Sequence, residues 1–142
     1  MKRIIINEIL NVPLDRTWEL FTDLDNYPKY FKYVHKIFHK GEMKSGSTWY
    51  DFATFVAPLI VKHKTVVFEK EKALGFDVYI PLNGYVRERI NLLKKDKSTI
   101  VSGYIEFDFG NPIFKRLFDN LFETRMRESI KKALTKVRLE AN

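Results

Sequence analysis

The order of hydrophobic and polar positions changes character twice along the chain, and each change predicts a different secondary structure. Arg3–Val12 is rich in β-branched residues and predicts a strand, which Pro13 ends. The stretch LDRTWELF that follows has apolar residues at helical spacing and predicts a short helix. A second short helix is predicted in DLDNYPKYF, because Pro28 falls in its first turn if Asp25 is the N-cap. Two short helices therefore separate the first strand from the rest of the chain.

Between Tyr33 and Phe109 the apolar period becomes two, which is typical of β-strands. Turn-forming stretches at KSGS, APL, KALG, PLNG and KKDKS divide this part into six strands. The predicted strands are Tyr33–Met43, Thr48–Ala57, Leu59–Glu69, Gly75–Ile80, Tyr85–Lys94 and Thr99–Phe109. Pro112 then marks a helix start, and Ile113–Leu139 contains no further proline or glycine. The pattern predicts an α+β fold with seven antiparallel strands and one long C-terminal helix.

The predicted sheet has an apolar face that must be covered, and the C-terminal helix is the only predicted element long enough to cover it. Its apolar residues recur at every fourth position, at Phe114, Phe118, Phe122, Met126, Ile130 and Leu134. Because each step of four residues drifts by about 40° around a helix axis, this stripe winds. Packing across a curved, twisted sheet requires such a winding stripe. The two short helices are expected to close the open end of the sheet.

The composition is that of a globular protein and excludes several kinds of chemistry. Hydrophobic residues make up 45% of the 142 residues and charged residues 30%. The absence of cysteine excludes disulfides, thiolate catalysis and cysteine-ligated metals, and suits a reducing cytoplasm. The N-terminal MKRIIINEIL predicts a strand rather than a signal peptide, since Asn7 and Glu8 interrupt it. We expect a single domain over residues 1–142, located in the cytoplasm.

The chain is basic, with a formal net charge of +7 and a pI near 9.5. Its lysines are scattered along the sequence, which favours a role in solubility over a single binding face. The stretch YPKYFKYVHKIFHK combines aromatic and basic residues as nucleic-acid-binding segments do. Its aromatic positions, however, follow helix and strand periods that bury them. No specific nucleic-acid site is predicted, and contact of the basic surface with a membrane or a ribosome stays an alternative.

Strand alternation predicts three polar side chains on the inward face of the sheet. His63 and Thr65 share a strand face with Val61 and Val67, and Glu88 lies within another apolar strand face. Burial raises the pKa of a carboxyl group, and a nearby histidine can share its proton, so Glu88 and His63 are candidates for general acid and base. They are equally candidates for orienting a ligand hydroxyl or carbonyl. In a third interpretation, Glu88 pairs with a neighbouring arginine at the rim of the sheet.

Two further groups of residues leave their roles open. In TWYDFATF, two alternating sets compete for the inner face, namely Trp49, Asp51, Ala53 and Phe55 against Tyr50, Phe52, Thr54 and Val56. Trp49 and Tyr50 both suit the mouth of a cavity. His35 and His39 share a strand face in a way that can hold zinc, but no clear third ligand accompanies them, so no metal site is predicted.

The order of elements, together with VPLDRTWELFTDLDNYPKYF, resembles the START-like, Bet v 1-like (SRPBCC) superfamily and its helix-grip fold. The matching features are Pro13, the helix Trp18–Phe21, Asp23, the pair Tyr27 and Pro28, Phe31, the KSGS turn and the terminal helix behind Asn111 and Pro112. The chain looks most similar to the polyketide cyclase/dehydrase and lipid-transport branch, which includes the coenzyme-Q-binding proteins. The glycine-rich loop of the plant allergen members is missing.

The resemblance implies a cavity between the curved sheet and the C-terminal helix that binds an apolar or amphipathic small molecule, without a cofactor. The residues expected to line it are Trp49, Tyr50, Phe52, His63, Thr65, Phe76, Val78, Glu88, Ile90, Ile105, Phe107, Phe118, Phe122 and Met126. The opposing expectation is a core that the chain's 12 phenylalanines fill completely.

Three functions follow from these observations. The first is a carrier or sensor of a lipid, isoprenoid, quinone or polyketide-like molecule. The second is an enzyme of the cyclase or dehydratase kind that uses Glu88 and His63 as acid and base. The third is an interaction module whose basic surface docks on a membrane, a ribosome or an RNA. The first is favoured, because the resemblance implies a cavity and the sequence contains no clear catalytic motif.

Overall fold

A computed structural model describes residues 2–110 and 112–141, and its elements follow the predicted order. The elements are β1 (Lys2–Leu10), α1 (Leu14–Thr22), a 3₁₀ turn (Leu24–Asn26), α2 (Tyr27–Tyr30), β2 (Val34–Phe38), β3 (Thr48–Ala53), β4 (Leu59–Glu69), β5 (Ala73–Ile80), β6 (Gly84–Lys95), β7 (Ser98–Phe109) and α3 (Lys115–Ala141). The strands form one antiparallel sheet in the order β1-β7-β6-β5-β4-β3-β2. The predicted fold class, with two short helices after β1 and a long C-terminal helix, is confirmed.

β2 and β3 are shorter than predicted, because the residues beyond them find other partners. The His39 side chain leaves the end of β2, where its two ring nitrogens lie 2.7 Å from Asp25 Oδ1 and 2.8 Å from the Gly41 carbonyl oxygen. Beyond β3, the carbonyl groups of Thr54 and Phe55 each accept a 3.0 Å hydrogen bond from the Arg125 guanidinium of α3. These carbonyls thus bind the helix instead of extending the strand ladder.

The other boundaries differ by a few residues. β5 begins at Ala73 rather than Gly75, since Leu74 is buried and pairs with Phe68 and Ile90 across its two neighbouring strands. The predicted cap Asp25 lies in the 3₁₀ turn, while α2 begins at Tyr27 with proline in its first turn. Asn111, one of the residues that carried the resemblance, lies outside the described part of the chain.

The predicted stripe of α3 faces the sheet over most of its length. Phe122, Met126 and Leu134 are buried, and Phe118 and Ile130 are partly buried against the core. Phe114 is an exception: it precedes the helix, which begins at Lys115, and is 45% exposed. Its place in the predicted inward stripe was wrong, because the helical period does not apply before the helix starts.

The two short helices close one end of the space between the sheet and α3. α1 contacts β6 and β7, and α2 contacts β2 and α3. A buried hydroxyl pair attaches α1 to the sheet: Thr99 Oγ1 donates to the Val12 carbonyl at 2.8 Å, and Thr17 Oγ1 lies 3.2 Å from Thr99 Oγ1. Below this attachment, Leu20 packs with Val137 of α3. The expectation from the sequence pattern is therefore confirmed.

Irregular positions cross the sheet along one line and allow it to curve. The register of β4 and β5 shifts between Thr65 and Val67, and Gly75 of β5 pairs with Val67. Gly75 pairs in turn with Arg89 of β6. The next residue of β6, Ile90, pairs with Gly103 of β7. Bulges and strand glycines mark bends, because they locally relax the ladder and remove side-chain bulk. The sheet therefore bends across β4, β5, β6 and β7.

Gly103→Ala is expected to destabilise the protein strongly. Gly103 has φ +153°, and a Cβ atom there lies 1.9 Å from the Arg89 backbone oxygen, so neighbouring backbone has to move. We expect a loss of about 3 kcal/mol or more in unfolding free energy, measured by urea denaturation. The matched control is Gly41→Ala, where no atom lies within 4 Å and only the φ of +70° costs about 1 kcal/mol. Equal losses in both variants would contradict the close approach at Gly103.

Candidate functional site

An apolar cavity lies between the sheet and α3, and both short helices contribute to its wall. The centre of a water molecule can reach about 90 Å³ of it, and the space between atoms is about 770 Å³ when open solvent at the mouth is included. Tyr27 of α2 and Phe31, which directly follows α2, line it together with Trp49 and Phe76 from the sheet and Met126 from α3. Mostly apolar cavities that contain a few polar groups are typical of small-molecule sites.

A second, smaller chamber adjoins the first toward the start of α3. The centre of a water molecule can reach about 40 Å³ of it, and Val78, Val86 and Phe122 line it. Both chambers share five wall residues, namely Asp51, Phe55, His63, Glu88 and Met126. Three of these five carry the polar groups, so the polar part of the wall lies at the boundary of two apolar spaces.

Aromatic rings occupy the core around the second chamber. Phe122 of α3 contacts Phe107 and Phe109 of β7, with ring centroids 4.7 and 5.4 Å apart, and Phe55 at 5.6 Å. Phe118 packs against Phe109. The expectation of a core filled by phenylalanine therefore holds for part of the interior, whereas the larger chamber stays open.

Strand register brings three polar side chains into the cavity wall. Trp49 of β3 pairs with His63 of β4, and their rings stack with centroids 3.8 Å apart and an interplanar angle of 12°. Asp51 lies two positions further along β3, on the same face, with Oδ2 3.6 Å from His63 Nε2. Glu88 of β6 lines the cavity from the far side of β5, where it pairs with Phe76.

The Trp49 ring is held on several sides. It makes edge-on contacts with Tyr27 and Phe76, at interplanar angles of 87° in both cases, in addition to the stack on His63. The Tyr27 hydroxyl donates a hydrogen bond to the Phe21 carbonyl of α1. Aromatic pairs in edge-on and stacked arrangements contribute stability beyond their buried area. The polar cluster, which consists of Asp51, His63 and Glu88, is therefore attached to a rigid aromatic frame.

Burial controls the charge of the two carboxyl groups. Removal from water raises the pKa of Asp51 to about 8, and the nearby Glu88 charge adds to this effect. Burial likewise raises the pKa of Glu88 to about 7, opposed by the charge of Arg89. The Arg89 side chain itself lies outside the cavity, where it binds Asp77 at 3.0 Å. The interpretation that Glu88 pairs with an arginine at the rim is thus not what the structure shows.

Burial acts on His63 in the opposite direction. Loss of water lowers its pKa to about 3, and the Val61 backbone opposes this shift only in part. The imidazole is therefore neutral near pH 7, as is most of Asp51. Near pH 7, Asp51, His63 and Glu88 together carry at most about one negative charge.

Nine of the predicted ligand-binding residues line one of the two chambers. They are Trp49, His63, Phe76, Val78, Glu88, Ile90, Ile105, Phe122 and Met126. Their contact with a ligand stays a prediction. Tyr50 and Phe52 belong to the opposite face of β3, where Tyr50 is 42% exposed, so they line neither chamber.

The remaining three predicted residues pack elsewhere in the protein. Thr65 is inaccessible to solvent and its hydroxyl lies 3.1 Å from Ser47 Oγ, which fixes the connection between β2 and β3. Phe107 and Phe118 belong to the aromatic cluster around Phe122. Their positions make them packing residues.

Asp51 and the α2 aromatics Tyr27 and Phe31 are wall residues that the sequence did not assign. The pattern left the face of Asp51 undecided, because both alternating sets in TWYDFATF are largely apolar. A signal did exist: an acid between aromatic residues is unusual for a core strand. The role of Tyr27 and Phe31 depends on how α2 folds back over the sheet, which no local pattern reveals.

The two histidines considered for zinc have other partners. His35 Nε2 lies 2.7 Å from Thr54 Oγ1, and His39 binds Asp25 and Gly41. Across residues 2–110 and 112–141, no three metal-ligating side chains are grouped in a way that can hold an ion. Over the same residues, no helix combines the length and hydrophobicity that crossing a membrane requires.

Part of the positive surface charge is balanced by carboxylates. Lys32 and Lys132 lie 3.2 and 2.7 Å from Glu128, and Lys29 lies 3.2 Å from Glu140. These pairs lie along α3 and connect it to the region of α2. They neutralise part of the local positive charge on that side of the protein.

Comparison with known proteins identifies the fold. No protein-family profile and no curated sequence matches the chain. Similar solved structures include a START superfamily protein from Mycobacterium smegmatis, with a TM-score of 0.80 at 9% identity over 99% of both chains. The Zhui aromatase/cyclase from Streptomyces sp. R1128 has a TM-score of 0.75 at 11% identity, covering 99% of this chain and 93% of the other.

A plant protein shows the same likeness. Ginseng major latex-like protein 151 from Panax ginseng has a TM-score of 0.74 at 17% identity, covering 99% of this chain and 97% of the other. Identities this low establish a common fold and no more. The chain has the START-like, Bet v 1-like helix-grip fold, as the resemblance implied.

Asp51→Asn is expected to flatten the dependence of stability on pH. The carboxyl has its pKa raised from 3.8 in the unfolded chain to about 8 in the folded protein, so its contribution to stability is lost as pH rises across this interval. Relative to the variant, the wild type should lose up to about 1.4 kcal/mol of unfolding free energy per pH unit. Urea denaturation between pH 6.5 and 8.5 measures this difference and avoids the range in which His63 acts in the opposite direction. Parallel curves would show that Asp51 is not titrating in this range.

Proposed function

We propose that the protein binds an apolar or amphipathic small molecule in the cavity between the sheet and α3. The observation that carries this proposal is the cavity between the sheet and α3, whose wall is apolar except for a small polar cluster. Burying apolar surface contributes roughly 25 cal/mol per Å², so an apolar wall favours a lipid, isoprenoid, quinone or polyketide-like molecule.

The polar cluster supports binding better than it supports the acid–base pair first considered. His63 has a pKa of about 3 and is therefore already deprotonated near pH 7, so it is a poor proton donor. β5 separates the strands that carry His63 and Glu88, and His63 faces Asp51 instead. Neutral polar groups in an apolar wall are suited to orienting a ligand.

Catalysis is a second candidate, favoured by one observation. Glu88 lines both chambers and has a pKa of about 7, which is in the range where a carboxylate acts well as a general base. Among the proteins with the same fold, the one from Streptomyces sp. R1128 is an aromatase/cyclase. In this candidate function, Glu88 is the general base and His63 transfers no proton.

Docking of the basic surface on a membrane, a ribosome or an RNA stays a prediction. Such docking predicts binding that weakens steeply as salt is added.

Val34→Phe is expected to weaken binding of an apolar probe by about tenfold or more, since the larger ring enters the main chamber. Nile red, a neutral dye whose emission rises in apolar surroundings, gives the affinity by fluorescence titration. The matched control is Ile60→Phe, which adds the same ring on the exposed outer face of β4. If the wild type does not bind the dye, or if both variants bind it equally well, the proposed cavity site is refuted.

Glu88→Gln tests the catalytic candidate. A general base in the cavity should take a proton from the carbon next to the carbonyl of a bound ketone, and a deuteron from D₂O then replaces it. NMR with 6-dodecanone should show faster exchange with the wild type than in buffer, and a loss of about 100-fold or more in the variant. Glu69→Gln, at the exposed end of β4, is the control. Exchange at the buffer rate with wild-type protein would remove this candidate.

A further inference from the structure

A row of aromatic side chains crosses the outer face of the sheet, on the side away from the cavity and α3. Cross-strand pairing places one residue from each of β2 to β6 in this aromatic row, in the order Phe38, Tyr50, Lys62, Tyr79 and Tyr85. Phe38, Tyr50 and Tyr79 are 42%, 42% and 46% exposed. Strand periodicity predicts burial of Phe38, and its exposure corrects that expectation.

The aromatic row is a continuous surface, because paired residues of neighbouring strands point to the same face and the strands are about 4.8 Å apart. The rings of Tyr79 and Tyr85 contact each other, with centroids 5.8 Å apart. Cross-strand aromatic contacts of this kind stabilise a sheet. They leave more than 40% of Tyr50 and Tyr79 accessible, so these rings can also contact a partner.

Positive charges accompany the aromatic row. Lys62 lies within it, Lys64 lies two residues further along β4, and Lys36 lies on the same face of β2; all three are exposed. Across residues 2–110 and 112–141, no carboxylate lies within 4 Å of any of these three amines. This part of the outer face is therefore suited to an anionic partner.

The acids on the neighbouring part of the outer face bind arginines. Asp77, which pairs with Lys64 across β4 and β5, binds Arg89 at 3.0 Å. Glu106 of β7 binds Arg3 of β1. These ion pairs offset the charge of the acids, and the lysines of β2 and β4 keep theirs.

Single-stranded nucleic acid offers groups that match both features of this surface. Its bases stack on aromatic rings and its phosphates attract lysines, and exposed aromatic residues on a sheet are one platform on which proteins bind it. In a duplex, the bases are stacked on one another and do not reach such rings. Insertion into a membrane would bury the Lys62 ammonium at the centre of the row, which costs free energy.

We propose that the outer face of β2 to β6 binds single-stranded nucleic acid, whose bases stack on Tyr50 and Tyr79 and whose phosphates contact Lys62. This site lies on the opposite face of the sheet from the cavity, so the proposal goes beyond the proposed function and does not depend on it.

The test measures the binding of labelled strands of twelve nucleotides by fluorescence anisotropy. Oligothymidylate and oligouridylate represent DNA and RNA, and an abasic DNA strand of the same length keeps the phosphates without the bases. We expect at least one of the two base-containing strands to bind about tenfold or more tightly than the abasic strand, because only its bases can stack. The tighter of the two identifies the preferred nucleic acid. A DNA duplex of twelve base pairs should bind more weakly than that strand.

Tyr79→Ala tests the stacking contact. It should weaken binding of the preferred strand by about fivefold or more and leave binding of the abasic strand unchanged. The matched control is Tyr104→Ala, which removes the same side chain from the outer face at a position of β7 outside the aromatic row. Thermal melting shows whether each variant is folded, and Tyr50→Ala replaces Tyr79→Ala if that variant does not fold.

Lys62→Gln tests the phosphate contact. Between 50 and 200 mM salt, the slope of log affinity against log salt concentration should become shallower by about 0.7, as expected for the loss of one phosphate contact with a single strand. The matched control is Lys97→Gln, which removes the same charge in the turn between β6 and β7 and should keep the slope.

Several outcomes would overturn the proposal. Equal affinity for the abasic strand and the base-containing strands would show that charge alone is recognised, as in docking of an acidic protein. No binding at about 100 μM protein, or a duplex bound as tightly as the single strand, would exclude the site as well. Equal effects of Tyr79→Ala and Tyr104→Ala, or of Lys62→Gln and Lys97→Gln, would show that the strand does not bind at the aromatic row.

Discussion

One helix has to cover a sheet that is much wider than itself, and the rest of the structure follows from this mismatch. Seven strands about 4.8 Å apart span roughly 30 Å, whereas a helix with its side chains is about 10–12 Å across. Curvature of the sheet along the line of Gly75 and Gly103 brings part of its inner face toward α3. The short helices cover another part. What neither covers is the cavity.

Side chains fill the space between the sheet and α3 to different extents at its two ends. Around Phe122, four other aromatic rings pack closely enough to occupy much of the core. Toward α1 and α2, the side chains of Tyr27 and Phe31 form a wall without filling the space behind them. Packing density is therefore uneven along α3. The aromatic end is closely packed, and the other end leaves the larger chamber open.

Burying ionised acids in this interior costs free energy, and protonation of the acids reduces that cost. Asp51 and Glu88 lie where water is scarce, and both have raised pKa values. His63 stays neutral for the same reason. The polar cluster thus acts through hydrogen bonds more than through charge.

The sequence by itself determined the elements, their order and most of their inward faces. Periods of two and of about four, with prolines at the breaks, were enough to predict seven strands, two short helices and α3. The inward positions of His63, Glu88, Phe122 and Met126 followed from that alternation and are confirmed as wall or core positions. The face of β3 was different, because a strand with apolar residues on both sides has no pattern to choose between them, and a shift of one residue exchanges its faces.

Only the tertiary structure decided that Trp49 and Asp51 point inward and that Tyr50 points out. It did so through the pairing of Trp49 with His63 on the neighbouring strand, a contact between residues that local periodicity treats separately. The size of the cavity was equally beyond the sequence, since it depends on how far the sheet bends and how α2 folds back across it. Periodicity reports which way a side chain points along one element. The space between elements is set by how they pack.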